Sequence, residues 1–210
     1  YGANHALIRA WLKSSNRREV NFIVHDLADV NDQLRRGRPF FKDIDRDGII
    51  VYEYDTKPLA KPGNLSAEEI REEAKGHFEQ WYARSLGFSK GAAFYLGEGD
   101  LNLAAFSLHQ AVESAYHCVL LTLTLYSPQL HKIEKLRAMA EGLDPRLIEA
   151  WPRKTRHQRR PFDKIRRAYV EARYSKHYRI TKEMLVEATA SVEALQEVVR
   201  ELCRKSLART

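Results

Sequence analysis

Apolar positions change their spacing near residue 66, and the change divides the chain into two kinds of structure. From Ser66 onward they recur every three to four residues, the period of a helix with one buried face. Ile70, Ala74, Phe78 and Trp81 open the pattern, which continues through Phe88, Ala92 and Leu96. Ser66, with Glu69 three residues on, is a capping-box signature for the start. Gly97 to Asp100 reads as a turn, and Leu101 to Tyr126 as a long, strongly apolar helix closed by Ser127-Pro128. Ile133 to Glu141 reads as a weaker helix, and Gly142 to Arg160 as a polar, basic connection. Phe162 to Tyr174 is a further helix. Thr181 caps a last one, in which Leu185, Ala188, Val192, Leu195, Val199 and Leu202 share a face. Four or five helices over residues 66–206 predict an antiparallel bundle.

Upstream of 66 the pattern is mixed. Residues 1–13 read as the end of a helix, with Leu7, Ile8, Trp11 and Leu12 clustered. Val20 to His25 and Ile49 to Tyr52 read as short strands. Between them come a helix from Leu27 to Arg36, stopped by Gly37, and another that starts at Pro39 and ends near Gly48. Residues 1–54 are thus expected to form a small α/β unit, too small to bury a core of its own. Residues 55–65, with Pro58, Pro62 and Gly63, read as a linker. The expected fold class is mainly α. The first residue is Tyr1 rather than Met, which suggests the remainder of a longer chain.

Composition narrows the function only a little. The chain has 210 residues and a formal net charge of +7. No stretch approaches the ~20 apolar residues of a membrane span, so no membrane contact is expected. The start lacks the apolar core of a secretory signal. Cys118 and Cys203 both fall in helical patterns, which predicts buried thiols and suits a reducing cytoplasm. The charge is clustered. Arg153 to Arg167 holds eight Lys or Arg against one acid, Asp163. Arg156, Arg159, Arg160, Arg166 and Arg167 of this run are candidate ligands for the phosphates of RNA or a nucleotide.

Three patterns carry possible chemistry. Asp43 to Ile50 imitates the start of a calcium loop, but position 12 is Tyr54 instead of a bidentate Glu. A helix end and turn explain it better. His109, Glu113 and His117 lie at i, i+4 and i+8 on the long helix, with His131 and Glu134 downstream. They could ligate a metal, but a polar stripe satisfied inside the bundle or at a dimer contact is the preferred reading. No metal and no cofactor is expected. Arg173 and His177 stand four apart beside Tyr169, Tyr174 and Tyr178. On a continuous helix they would share a face. His177 could then act as general base or acid and Arg173 could stabilise a phosphorane, cleaving RNA without a metal. Tyr174 or Tyr178 could stack a base. The alternative is that these cations only complement a helix C-terminus. Finally, neither Gly-x-Ser-x-Gly nor a Walker loop is present, nor a Gly-Ser with paired aspartates.

Three blocks in order, Ser107 to Ser114, Ser127 to Ile133 and Tyr169 to Tyr178, resemble the HEPN domain (higher eukaryotes and prokaryotes nucleotide-binding) over about residues 66–206. Val20 to His25, Leu34 to Phe41 and Asp47 to Ile49 resemble the C-terminal portion of a minimal nucleotidyltransferase, as found fused to such bundles. The resemblance implies a bundle that is often dimeric and that handles nucleotides or RNA, with a role in RNA processing or a toxin–antitoxin-like pair. Many members are ribonucleases carrying Arg-x4–6-His. Here three residues separate Arg173 from His177. The metal-binding aspartates of a nucleotidyltransferase would lie upstream of Tyr1, and Asn21 stands where a third acid could be. Nucleotidyl transfer is therefore not expected unless upstream sequence restores the Gly-Ser and aspartate pair. A non-catalytic dimerisation module is the remaining alternative.

Overall fold

The computed structural model describes residues 23–52 and 57–209. It contains seven α-helices among the described residues: α1 (Leu27–Arg35), α2 (Pro39–Asp47), α3 (Ala67–Gly97), α4 (Leu101–Thr124), α5 (Ile133–Leu143), α6 (Arg156–Tyr174) and α7 (Lys182–Leu207). A 3-10 turn, Pro145–Ile148, joins α5 to α6.

The bundle forms around α4, which packs against α3, α5, α6 and α7. Its Ala104, Ala105, Ala111 and Ala115 are buried, and such small residues let neighbouring helices come close. Leu108, Val112 and Tyr116 fill the space between. They meet Ile165 and Ala168 of α6 and Leu185, Val192 and Val199 of α7 in one core. A buried polar latch adds direction. Ser85 donates to the Ala111 carbonyl at 2.8 Å, and Gln196 donates to Ser85 and Ser89 at 2.9 and 2.8 Å. Cys118 and Cys203 are buried free thiols. No helix among the described residues is long and apolar enough to cross a membrane.

The helix starts follow their caps. Ser66 and Glu69 make the reciprocal capping box that opens α3. Asp100 and Thr181 cap α4 and α7. One boundary differs from expectation: α6 begins at Arg156, six residues before Phe162. Thr155 and Gln158 form a second capping box there, and it nucleates a first turn that carries Pro161 inside the helix. Proline costs the hydrogen bond to the carbonyl four residues back, but does not stop a helix already capped and packed.

The small α/β unit expected over 1–54 is corrected: the described residues contain no strand. Residues 23–25 have no regular structure, and Ile49, Ile50, Val51 and Tyr52 are 73–93% exposed. A β-branched run becomes a strand only beside a partner, and none of the described residues supplies one. The helix read over 1–13 and residues 20–22 of the first strand lie outside the described residues. Asp43 to Asp47 belong to α2, with Arg46 paired to Asp43 and Asp47, which removes the calcium-loop geometry.

The segment read as a linker is held down. Gly63 donates to the Leu34 carbonyl at 2.8 Å, and Ala60 donates to Asn31 Oδ1 at 2.6 Å. Gly37 adopts φ +72°, and a Cβ there would lie 2.8 Å from Gly63. Only glycine accepts both the left-handed conformation and this crossing. α1 and α2 meet the bundle through Tyr126, whose ring stacks on Phe40 at 3.6 Å and touches Phe41 edge-on. Tyr126 is presented by the turn that ends α4, where Leu125 takes φ +53°.

Candidate functional site

The two ends of α6 use their cations differently. At the N-terminal end, Lys154, Arg156, His157, Arg159 and Arg160 are all exposed. Among the described residues their side chains form no ion pair, and the first turn holds no acid. Backbone N–H groups already give a helix N-terminus partial positive charge, so cations gathered there repel it and one another. An anion would relieve both. Arg156, His157 and Arg160 line an open depression of about 410 Å³.

Arg153, just before the helix, and the later arginines of α6 are engaged. Arg153 pairs with Glu141 at 2.9 Å. Arg166 reaches Asp163 at 3.7 Å and Glu134 of α5 at 4.0 Å, and Arg167 pairs with Glu171 at 2.7 Å. Arg173 donates from Nε to the Tyr169 carbonyl at 2.7 Å. Its guanidinium lies 4.6, 5.0 and 5.1 Å from the rings of Tyr169, Phe106 and Tyr174. Stacked this way, it keeps its charge while its plane is fixed.

The structure does not place Arg173 and His177 on one helical face. α6 ends at Tyr174, and Ser175 is extended at φ −100°, ψ 121°. The i, i+4 register is lost there, and His177 sits in the following turn. Its surroundings are Val170, Glu171, Tyr174, Ser175 and Lys176, which line an open depression with it; Arg173 is not part of that lining. Tyr174 is 75% exposed and free to stack. Tyr178, named above as a base-stacking candidate, is 2% exposed and donates its hydroxyl to the Lys164 carbonyl at 3.0 Å. Burial raises its pKa, and it serves the core.

Beside Arg173 the fold assembles a cluster that spacing alone does not reveal. Glu113 of α4 is buried, and its Oε1 lies 3.0 Å from His131 Nδ1, on the loop before α5. Its Oε2 lies 3.4 Å from His109 Nε2. Burial opposes ionisation of Glu113, yet the neighbouring imidazoles of His109 and His131 prevail and hold its pKa below the ordinary value. His109 Nδ1 donates to the Ile165 carbonyl at 3.0 Å. Tyr169 closes the group: His131 stacks on its ring at 5.0 Å and 15°, and His109 lies 5.2 Å away. His117 stands apart. Its Nδ1 meets Ser127 Oγ at 2.6 Å and its ring rests on Trp81. Burial lowers its pKa. Among the described residues, no three His, Cys, Asp or Glu side chains converge to hold a metal ion.

In comparison with known families, the HEPN domain matches residues 78–202, more than half of the chain. The chain belongs to the HEPN domain family. The HEPN match runs from within α3 to near the end of α7 and contains every candidate site residue, but excludes α1 and α2. HEPN membership points to a nucleotide- or RNA-related function. No curated protein matches the chain.

Proposed function

We propose that this HEPN protein binds RNA through α6. The observation that carries the reading is the acid-free N-terminal end of the helix. Lys154, Arg156, Arg159 and Arg160 stand exposed without counter-charges where the helix dipole is also positive. Arg156, Arg160 and Arg167 lie on the side of α6 away from buried Phe162, Ile165 and Ala168, with Arg159 and Arg166 at its flank. From Arg156 to Arg173 the helix is roughly 26 Å long at 1.5 Å per residue. That length favours a polymer over a mononucleotide. Exposed Tyr174 beside Arg173 offers a stacking surface for an unpaired base. Dimerisation through the bundle, a cytoplasmic setting and a part in RNA processing or a toxin–antitoxin-like pair extend this reading on the family relationship alone.

The test is fluorescence anisotropy of a labelled single-stranded RNA with the full chain, in competition with a mononucleotide. Salt-sensitive RNA binding that the mononucleotide displaces only at far higher concentration is the expected outcome. RNA binding that is absent, or equal at low and high salt, would overturn the reading.

A further inference from the structure

We propose that the cavity between the α1–α2 hairpin and the bundle binds a small organic amine, holding its ammonium group against carboxylates and its carbon body against an apolar surface. The site is separate from the RNA face of α6 and does not rest on it.

The cavity measures about 850 Å³, within the range of small-molecule pockets. α1 and the start of α2 line one side; α3, the end of α4 and the loop after it line the rest. Two contacts fix the hairpin over it. Arg38, the N-cap of α2, pairs with Glu73 of α3, and Phe40 stacks on Tyr126. All the charged residues of the lining precede residue 78, outside the HEPN match, so the family relationship does not account for them.

The sign of the charge selects the ligand. Asp26, Asp29 and Glu73 stand against one guanidinium, that of Arg38, which is already paired with Glu73. The chain as a whole carries +7, so an acidic cavity runs against its composition. Asp29 is held from two sides. Gln33 Nε2 donates to its Oδ1 at 3.2 Å, and His25 Nδ1 donates to its Oδ2 at 2.9 Å. These bonds hold its pKa below the ordinary value, which keeps it ionised near neutrality. His25 Nε2 accepts from the Tyr126 hydroxyl at 3.2 Å, so a neutral imidazole satisfies both contacts. His77 Nε2 lies 3.5 Å from the Glu73 oxygen that Arg38 leaves open.

Asp26 is the group left over. It is the N-cap of α1, yet its side chain accepts no N–H from the helix, forgoing the bond that an aspartate ordinarily makes there. Among the described residues its carboxylate has no partner. It is the acceptor open to an incoming ammonium, with Asp29 one helical turn away. Phe41, Leu121, Leu125, Pro128 and Leu130 supply the carbon surface. A bare metal ion would leave that surface unused, and among the described residues no three metal-ligating side chains converge. An anion would add to the uncompensated negative charge. An amine with an apolar body uses both parts of the lining.

The experiment is isothermal titration of the full chain with phenethylamine and with tryptamine. It is repeated on Asp26→Asn and on Asp26→Asn combined with Asp29→Asn, with a thermal midpoint for each variant. Saturable one-site binding of at least one of the two amines is expected. The double variant should weaken it by about tenfold or more. Asp26→Asn alone, which removes a carboxylate without a partner in the fold, should keep the wild-type midpoint and still weaken binding. Spermidine, an amine without a ring, should bind less tightly, and hydrocinnamate, which replaces the ammonium by a carboxylate, should not displace either amine. No saturable binding of phenethylamine or tryptamine overturns the proposal. So does binding that Asp26→Asn leaves unchanged, that hydrocinnamate displaces, or that spermidine matches.

Discussion

The first and last turns of α6 carry the same residue type under opposite conditions. Arg156, Arg159 and Arg160 have no acid, ring or carbonyl partner for their guanidiniums among the described residues, whereas Arg173 has three rings and a carbonyl. An unpaired, solvated arginine keeps its reach and its counterions, and both are released when a phosphate arrives. A stacked arginine has already lost its freedom and offers one fixed direction. The first end suits capture of a polyanion anywhere along its length. The second suits orientation of one phosphate beside a base.

The largest effect should come from the capturing end. Replacing Arg156, Arg159 and Arg160 together by Glu should weaken RNA binding by about 100-fold or more near 0.1 M salt, with the urea midpoint of unfolding nearly unchanged. A smaller loss in affinity than that of any C-terminal variant would break the contrast between the ends. Arg173→Ala should cost about 1–2 kcal/mol of RNA binding. Arg173→Lys should recover only part of it, because an ammonium restores charge but not the planar stack; full recovery would mean that orientation is irrelevant. Arg167→Ala should change RNA affinity little and stability by less than ~1 kcal/mol, since it removes an exposed pair with Glu171.

The orienting end should also be visible in acid. The folded-state pKa of Glu113 lies below its ordinary 4.5. A carboxylate so depressed stabilises the fold above that value, and the contribution is lost as pH falls through the folded pKa. Urea midpoints measured below pH 4.5 should therefore fall less steeply with acid in Glu113→Gln than in the wild type. Equal slopes would show that the carboxylate is not held by the two imidazoles.

Much of the bundle was legible because its rules are local. Ser66 with Glu69, Thr181 and the spacing from Leu185 to Leu202 report helix starts and buried faces without knowledge of neighbours. The start of α6 lies six residues before the expected Phe162, because the polar, basic run that reads as a connection carries the Thr155–Gln158 capping box, an equally local signal. The strands at 23–25 and Ile49 to Tyr52 failed for a non-local reason: β propensity is realised only against a partner strand. The site was half legible. Arg173 and Tyr174 could be named from composition, but the assumption of continuous helix put His177 on their face. The partnership of Glu113 with His131 spans 18 residues and a turn through Leu125, so no helical spacing announces it. The i, i+4 pair His109 and Glu113 was visible; what completed it was not.

Capture of RNA by the unpaired cations of α6 is tested most directly by the salt dependence of binding. Affinity for one single-stranded RNA is measured from low to high salt for the wild type and for the variant with Arg156, Arg159 and Arg160 all changed to Ala. With about 0.7 counterions released per phosphate contact on a single strand, the slope of log affinity against log salt should flatten by about 2 in the variant. Parallel lines would contradict the assignment and place the RNA elsewhere on the molecule.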